Sequence, residues 1–391
     1  CLRRHSKQEK LIPAVHNVSI LLFSDYSATN YQPCFYYLHL LLPISVIFYI
    51  FFTNSPRYCP YYDGLGTKLS LFMIDAIIFA ITIVLPNLAL MGLGFFMKRR
   101  GEADQVFIDQ ASNFVFNYCL PCLLFFSVVD SDVDYAKQMV LIVAGILVTF
   151  ILFIGSELYA KRFISDPANQ GVFVQGIFRS NMAIIGLATV ANAYGSSGLG
   201  IGAVYMGVVT ILFNILAVIT LSRVSKSMDD TWLSRSTMIV KKLLTNPLII
   251  ALVAAFTYKA LPLPPLAGVI HTTGGLLAAV ALPLALICAG ASIDLKSMLH
   301  PSGLSMQASI GRIVIAPLVA IAVGFAFGLT GVHMGVLFLM VASPTAAASY
   351  VMAKAMGGND ILAANILAFT TVVGMFGMAI GAAILRAMGL M

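Results

Sequence analysis

From Met73 to the C-terminus, runs of roughly 20 apolar residues alternate with short polar breaks, and this rhythm limits the fold more than any motif does. At about 1.5 Å of rise per residue, a helical run of this length covers about 30 Å of hydrocarbon. Backbone in lipid must satisfy its own hydrogen bonds, so such runs become helices. Ten spans are read: Ile74–Met97, Ile108–Val129, Met139–Tyr159, Gly171–Ala193, Leu199–Leu221, Pro247–Ala260, Leu266–Ile293, Leu304–Leu329, Met334–Met356 and Ile361–Met388. Composition agrees: 60% of the 391 residues are apolar and 10% charged, with mean hydropathy +0.94, against about 45–50% and 25% in soluble domains. The expected class is an all-α integral membrane protein. Its 23 bases and 16 acids are too sparse for a nucleic-acid-binding face, and its six Cys follow no disulfide or zinc spacing.

Basic residues orient the spans. One set of alternate connections holds Lys98, Arg99, Arg100, Lys161, Arg162, Arg223, Lys226, Arg235, Lys241, Lys242, Lys296 and Lys354. The other holds Lys137, Lys259 and Arg386. The first set is therefore expected in the cytoplasm, with both ends of the 73–391 unit outside a cytoplasmic (inner) membrane. The Ser222–Lys241 connection divides the spans into five and five. Because five is odd, the second half runs inverted, the arithmetic of an inverted-repeat transporter. The expected domains are a first five-helix repeat over 73–222, a cytoplasmic linker over 223–240 and a second, inverted repeat over 241–391.

Residues 1–72 differ from the rest. The chain opens on Cys1, its first Met is Met73, and the 72 residues before that Met hold 8 of 15 Tyr. One reading takes 1–72 as a non-native N-terminal extension. The other takes the Phe35–Thr53 run as an extra hydrophobic span.

Two clusters stand out at equal depth. Arg179, Ser180 and Asn181 begin about ten residues into the fourth span, and Ser343, Pro344 and Thr345 about ten residues into the ninth, each roughly 15 Å deep. Polar groups at that depth are costly unless they face a cavity or a broken helix. Pro344 removes a backbone donor, so the ninth span is expected to break there. Two interrupted helices crossing at the midplane offer free N–H groups to an anion.

The stretches FNYCLPCLLF (Phe116–Phe125), QGIFRSNMAIIGLA (Gln175–Ala188), TNPLIIAL (Thr245–Leu252), LPLALICAGASIDL (Leu282–Leu295) and SPTAAASYVMAKAMGGND (Ser343–Asp360) resemble the auxin efflux carrier family. That family of bacterial permeases includes malonate and malate transporters and is related to plant PIN auxin carriers. The resemblance spans Met73–Met391. It implies ten transmembrane helices in two inverted five-helix repeats, broken and crossing fourth and ninth helices, and movement of a small organic anion without a bound cofactor. Asn181 and Pro344 match the crossover positions, and Asn117 matches the polar position before the second-span Pro121. Where the family has Pro after Gly-Leu in the fourth span, this chain has Ala188, so the break there rests on Gly186 and the Arg-Ser-Asn group.

Other readings stay open residue by residue. Arg179 either holds a substrate carboxylate or orients its helix, snorkelling or paired with Glu157. Arg312 is expected to snorkel to the interface. Asn117, Ser180, Asn181, Ser343 and Thr345 either line a site or tie helices together. Cys119 and Cys122, Gly195–Gly207 and the Gly377/Gly381 pair read as packing residues, and His271 as interfacial. A coupling ion, proton or sodium, is expected but not placed, because Asp75, Asp109, Glu157, Asp294 and Asp360 lie near span ends. The expected function is secondary transport of a malonate-like or malate-like anion by alternating access. The alternative is a ligand-binding membrane sensor or scaffold without net transport, and a homodimer is admitted. No enzymatic grouping is seen.

Overall fold

The structure, a computed structural model, describes residues 63–130, 138–222, 244–261, 264, 266–293 and 303–391. The Phe35–Thr53 run and the 223–240 linker lie outside them. Gly64–Met391 form one compact unit. Apart from a single isolated β-bridge, every regular element among the described residues is helical.

In chain order the helices are α1 (Asp63–Arg100), α2 (Gln105–Phe114), α3 (Leu120–Val129), α4 (Met139–Phe163), α5 (Pro167–Phe178), α6 (Leu187–Leu221), α7 (Pro247–Ala260), α8 (Gly268–Ala291), α9 (Gly303–Ile310), α10 (Ala316–Ala326), α11 (Gly331–Ala342), α12 (Ala347–Ala355) and α13 (Asp360–Ala387). Among the described residues seven helical stretches are long and apolar enough to cross a membrane, and α7 and α11 are shorter apolar helices. This is a multi-pass membrane protein. Fewer long stretches than the ten expected spans appear for local reasons. One span is interrupted at 343–346, α7 has only 14 residues, and the fourth and fifth spans run on with no loop between them.

That last continuity is broken at Gly195, whose φ of 62° and ψ of −149° lie outside helical space. A side chain there is strained, so glycine is what lets the chain turn. Proline shapes two other helices. Five-residue π turns, Val115–Cys119 and Gly311–Ile315, precede Pro121 and Pro317 by two residues. A proline ring crowds the carbonyl four residues back, and a widened turn gives it room.

The helices sort by packing into two groups. In one, α2–α3, α7 and α8 pack on each other, and α1 meets α8 backbone to backbone where Gly94 faces Ile287 and Gly290 faces Met91. In the other, α4, α5, α6, α9–α10, α11–α12 and α13 share contacts. Helix α4 shows the lipid logic. Val140, Val143, Leu147, Ile151, Ile154 and Leu158 recur at helical spacing on its exposed face, while Ala144 and Gly145 are buried. Small residues lie inside beside Leu141, Val148 and Leu152, where they let neighbouring helices approach closely. At Gly145 a side-chain carbon would collide with the Tyr205 ring.

Candidate functional site

Helix α5 stops at Phe178 because Arg179 turns to extended backbone, φ −94° and ψ 103°. The chain resumes as a π turn at Met182–Gly186 and continues into α6. Helix α11 stops at Ser343 and resumes as α12 at Ala347. Between the breaks the two segments pair as a short antiparallel bridge, Ser180 with Thr345. Asn181 N–H donates to the Pro344 carbonyl at 2.7 Å, and Ala346 N–H to the Arg179 carbonyl at 3.0 Å. Interrupted helix ends would otherwise leave backbone groups unsatisfied in an apolar interior.

Four carbonyls at the two stops are met by side chains. The Thr345 hydroxyl donates to the Gly176 carbonyl at 2.8 Å, and the Ser343 hydroxyl to Leu339 at 2.7 Å. Arg312 spans both stops: Nη1 donates to the Ile177 carbonyl at 2.7 Å and Nε to the Ser343 carbonyl at 3.0 Å. Arg312 is 1% exposed. It does not snorkel, and that expectation is corrected. The orphan carbonyls of two half-helices lie closer than any interface and accept its guanidinium as well as water would.

The helix starts differ from the stops. Asp104, Asp166, Asn246 and Asn359 cap their helices by accepting from backbone N–H groups, whereas α4, α8 and α11 start without a side-chain cap. At the crossing neither Asn181 nor Ala346 gives a side-chain cap. Two positive helix ends therefore open at one place.

A pocket of about 260 Å³ lies between Pro86, Asn87 and Leu90 of α1, Ala188 and Asn192 of α6, and Leu282 and Pro283 of α8, and no crossing residue lines it. It sits where the two helix groups meet. Asn87 Nδ2 donates to Thr189 Oγ at 2.9 Å, and Asn192 Nδ2 to Asn87 Oδ1 at 3.0 Å and to the Ile83 carbonyl at 3.1 Å. Residues 79–380 match the family described as "Membrane transport protein". The chain belongs to this membrane transport family. It is also similar to a Methanothermobacter thermautotrophicus protein named "Uncharacterized transporter", 25% identical over 271 residues, which cover 69% of this chain and 86% of that protein.

In this transporter six of the seven expected site residues meet at the crossing: Arg179, Ser180, Asn181, Ser343, Pro344 and Thr345. Asn117 takes no part in the bridge and is exposed on the Val115–Cys119 turn. The hydroxyls of Ser343 and Thr345 are committed to backbone. Arg179 is 5% exposed. Its guanidinium donates to Asn214 Oδ1 at 2.9 Å and Gln175 Oε1 at 3.3 Å and rests on Met352 Sδ. Asn181 is half-buried and makes no side-chain cap, which leaves its amide available. Gly186 matters for space: a side-chain carbon would come within 2.8 Å of Met340 Sδ and 3.1 Å of Ser343 Oγ. Cys119 and Cys122 are free thiols. Sequence reasoning passed over Asn87, Thr189 and Asn192, although an Asn inside an apolar span is the same signal that drew attention to Arg179.

Proposed function

We propose that this transporter is a secondary carrier that moves a small organic anion, malonate-like or malate-like, across the cytoplasmic membrane by alternating access at the crossing of α5 and α11. The observation that carries the reading is the Ser180–Thr345 bridge with two uncapped helix starts beside it. Such ends attract negative charge, each with about half an elementary charge of opposite sign. Breaks at matching places in two halves of the chain favour ten crossings as two inverted five-helix repeats, with both ends of the 73–391 unit outside. The arrangement of helices in two groups, with the pocket between them, suits movement of one group against the other. In this reading Arg179, Ser180, Asn181, Ser343, Pro344 and Thr345 form the site, without Asn117, which is exposed on its π turn. A proton or sodium gradient drives the cycle without a cofactor.

Purified full-length protein in proteoliposomes should exchange labelled malonate or malate for unlabelled anion inside. Absence of uptake above empty liposomes across a broad carboxylate panel overturns the reading. Saturable binding without flux would favour a sensor or scaffold instead.

A further inference from the structure

Arg312 is the largest fully buried side chain of the described residues. It comes from the Gly311–Ile315 π turn, far in sequence from the two carbonyls it holds. Those carbonyls belong to the negative ends of α5 and α11. Each such end carries about −0.5 of an elementary charge, so one guanidinium balances the pair. No described carboxylate forms an ion pair with Arg312. The positive starts at Met182 and Ala347 receive no comparable compensation. Ser349, in the first turn of α12, is 5% exposed and its hydroxyl has no hydrogen-bond partner. An unmatched buried hydroxyl beside an uncapped helix start points to a ligand at that end.

We propose that Arg312 is a positioning residue that sets the charge preference of the crossing: by neutralising both negative helix ends through Nε and Nη1, with Nη2 left without a partner, it leaves the positive ends to select an anion. This rests on the anion-transport reading above. The guanidinium fork suits the task because it reaches two carbonyls on different helices at once, with donors in one plane. Without its charge, the negative ends would oppose an anion a few residues away. At about 10 Å and an effective dielectric of about 20, one unit charge changes anion binding by roughly tenfold to twentyfold. A neutral ligand of the same shape would feel little of this.

The test compares full-length wild type with Arg312→Lys and Arg312→Met in detergent, measuring binding of malonate against malonamide and of benzoate against benzamide. Folding is checked by size-exclusion profile and melting temperature. Arg312→Lys keeps the charge, and its carboxylate-over-amide preference should stay within about threefold of wild type even if melting falls. Folded Arg312→Met should lose roughly tenfold of that preference. A folded Met variant with wild-type preference overturns the proposal, as does a folded Lys variant that has lost it. If the Met variant does not fold, Arg312→Gln, neutral but able to donate to a carbonyl, takes its place, with the same expected loss and the same overturning result. A Lys variant that cannot fold also overturns the proposal, because the fork would then serve the fold and not the charge. Wild type that binds none of these carboxylates brings down the transport reading first, an outcome distinct from all the others.

Discussion

At the scale of single residues, the midplane is a place where every polar atom needs a reason. Asn87 is 2% exposed and joins α1 to α6 through Thr189 and Asn192. Asn87→Ala should lower stability by about 1 kcal/mol, read as a fall in melting temperature, since hydrogen bonds between membrane helices contribute about that much or less. It should also loosen the pocket wall and weaken ligand affinity. The Arg-Ser-Asn and Ser-Pro-Thr clusters were legible because burying such groups in an apolar run is costly without a partner or cavity. The role of Arg312 was not legible. Its distance from the nearest loop suggested an interfacial reach, whereas its acceptors are backbone carbonyls on Ile177 and Ser343. Carbonyl oxygens look alike in every sequence. Only the three-dimensional meeting of two helix stops reveals which of them need a donor.

Between helices, the decisive quantity is how closely backbones approach. The α1–α8 contact depends on two glycines, Gly94 and Gly290, each lying against the other helix's backbone. Gly290→Val should push the helices apart and cost about 1–3 kcal/mol as an overpacked contact. Gly275→Ala on the same helix meets nothing within 4 Å and should be neutral or stabilising, by up to about 1 kcal/mol. Melting curves of the two variants in detergent check the pair. Apolar periodicity located these helices well, because length against bilayer thickness is a strong constraint. It ended the fourth span at Ala193 and began the fifth at Leu199, and the chain turns between them at Gly195, with no separate loop. It did not foresee the widened turns ahead of Pro121 and Pro317, which arise from a ring meeting a carbonyl.

Over the whole molecule, the proposed orientation rests on the basic connections, and chemistry on the two sides tests it. In a cysteine-free background, Glu102→Cys should resist a membrane-impermeant thiol reagent in intact cells, whereas Met388→Cys should react. The opposite pattern would invert the topology. Both positions are exposed, so their side chains are open to a reagent. The bridge between Ser180 and Thr345 also bears on how the protein is made. Its two strands are 165 residues apart in sequence, so the first break has no partner when it leaves the ribosome. At about 5–20 residues per second, synthesis reaches Thr345 roughly 10–30 s later. Through that interval the Arg179–Asn181 backbone must be sheltered by water or by the insertion machinery, and a chain truncated before α11 should be a substrate for membrane proteolysis.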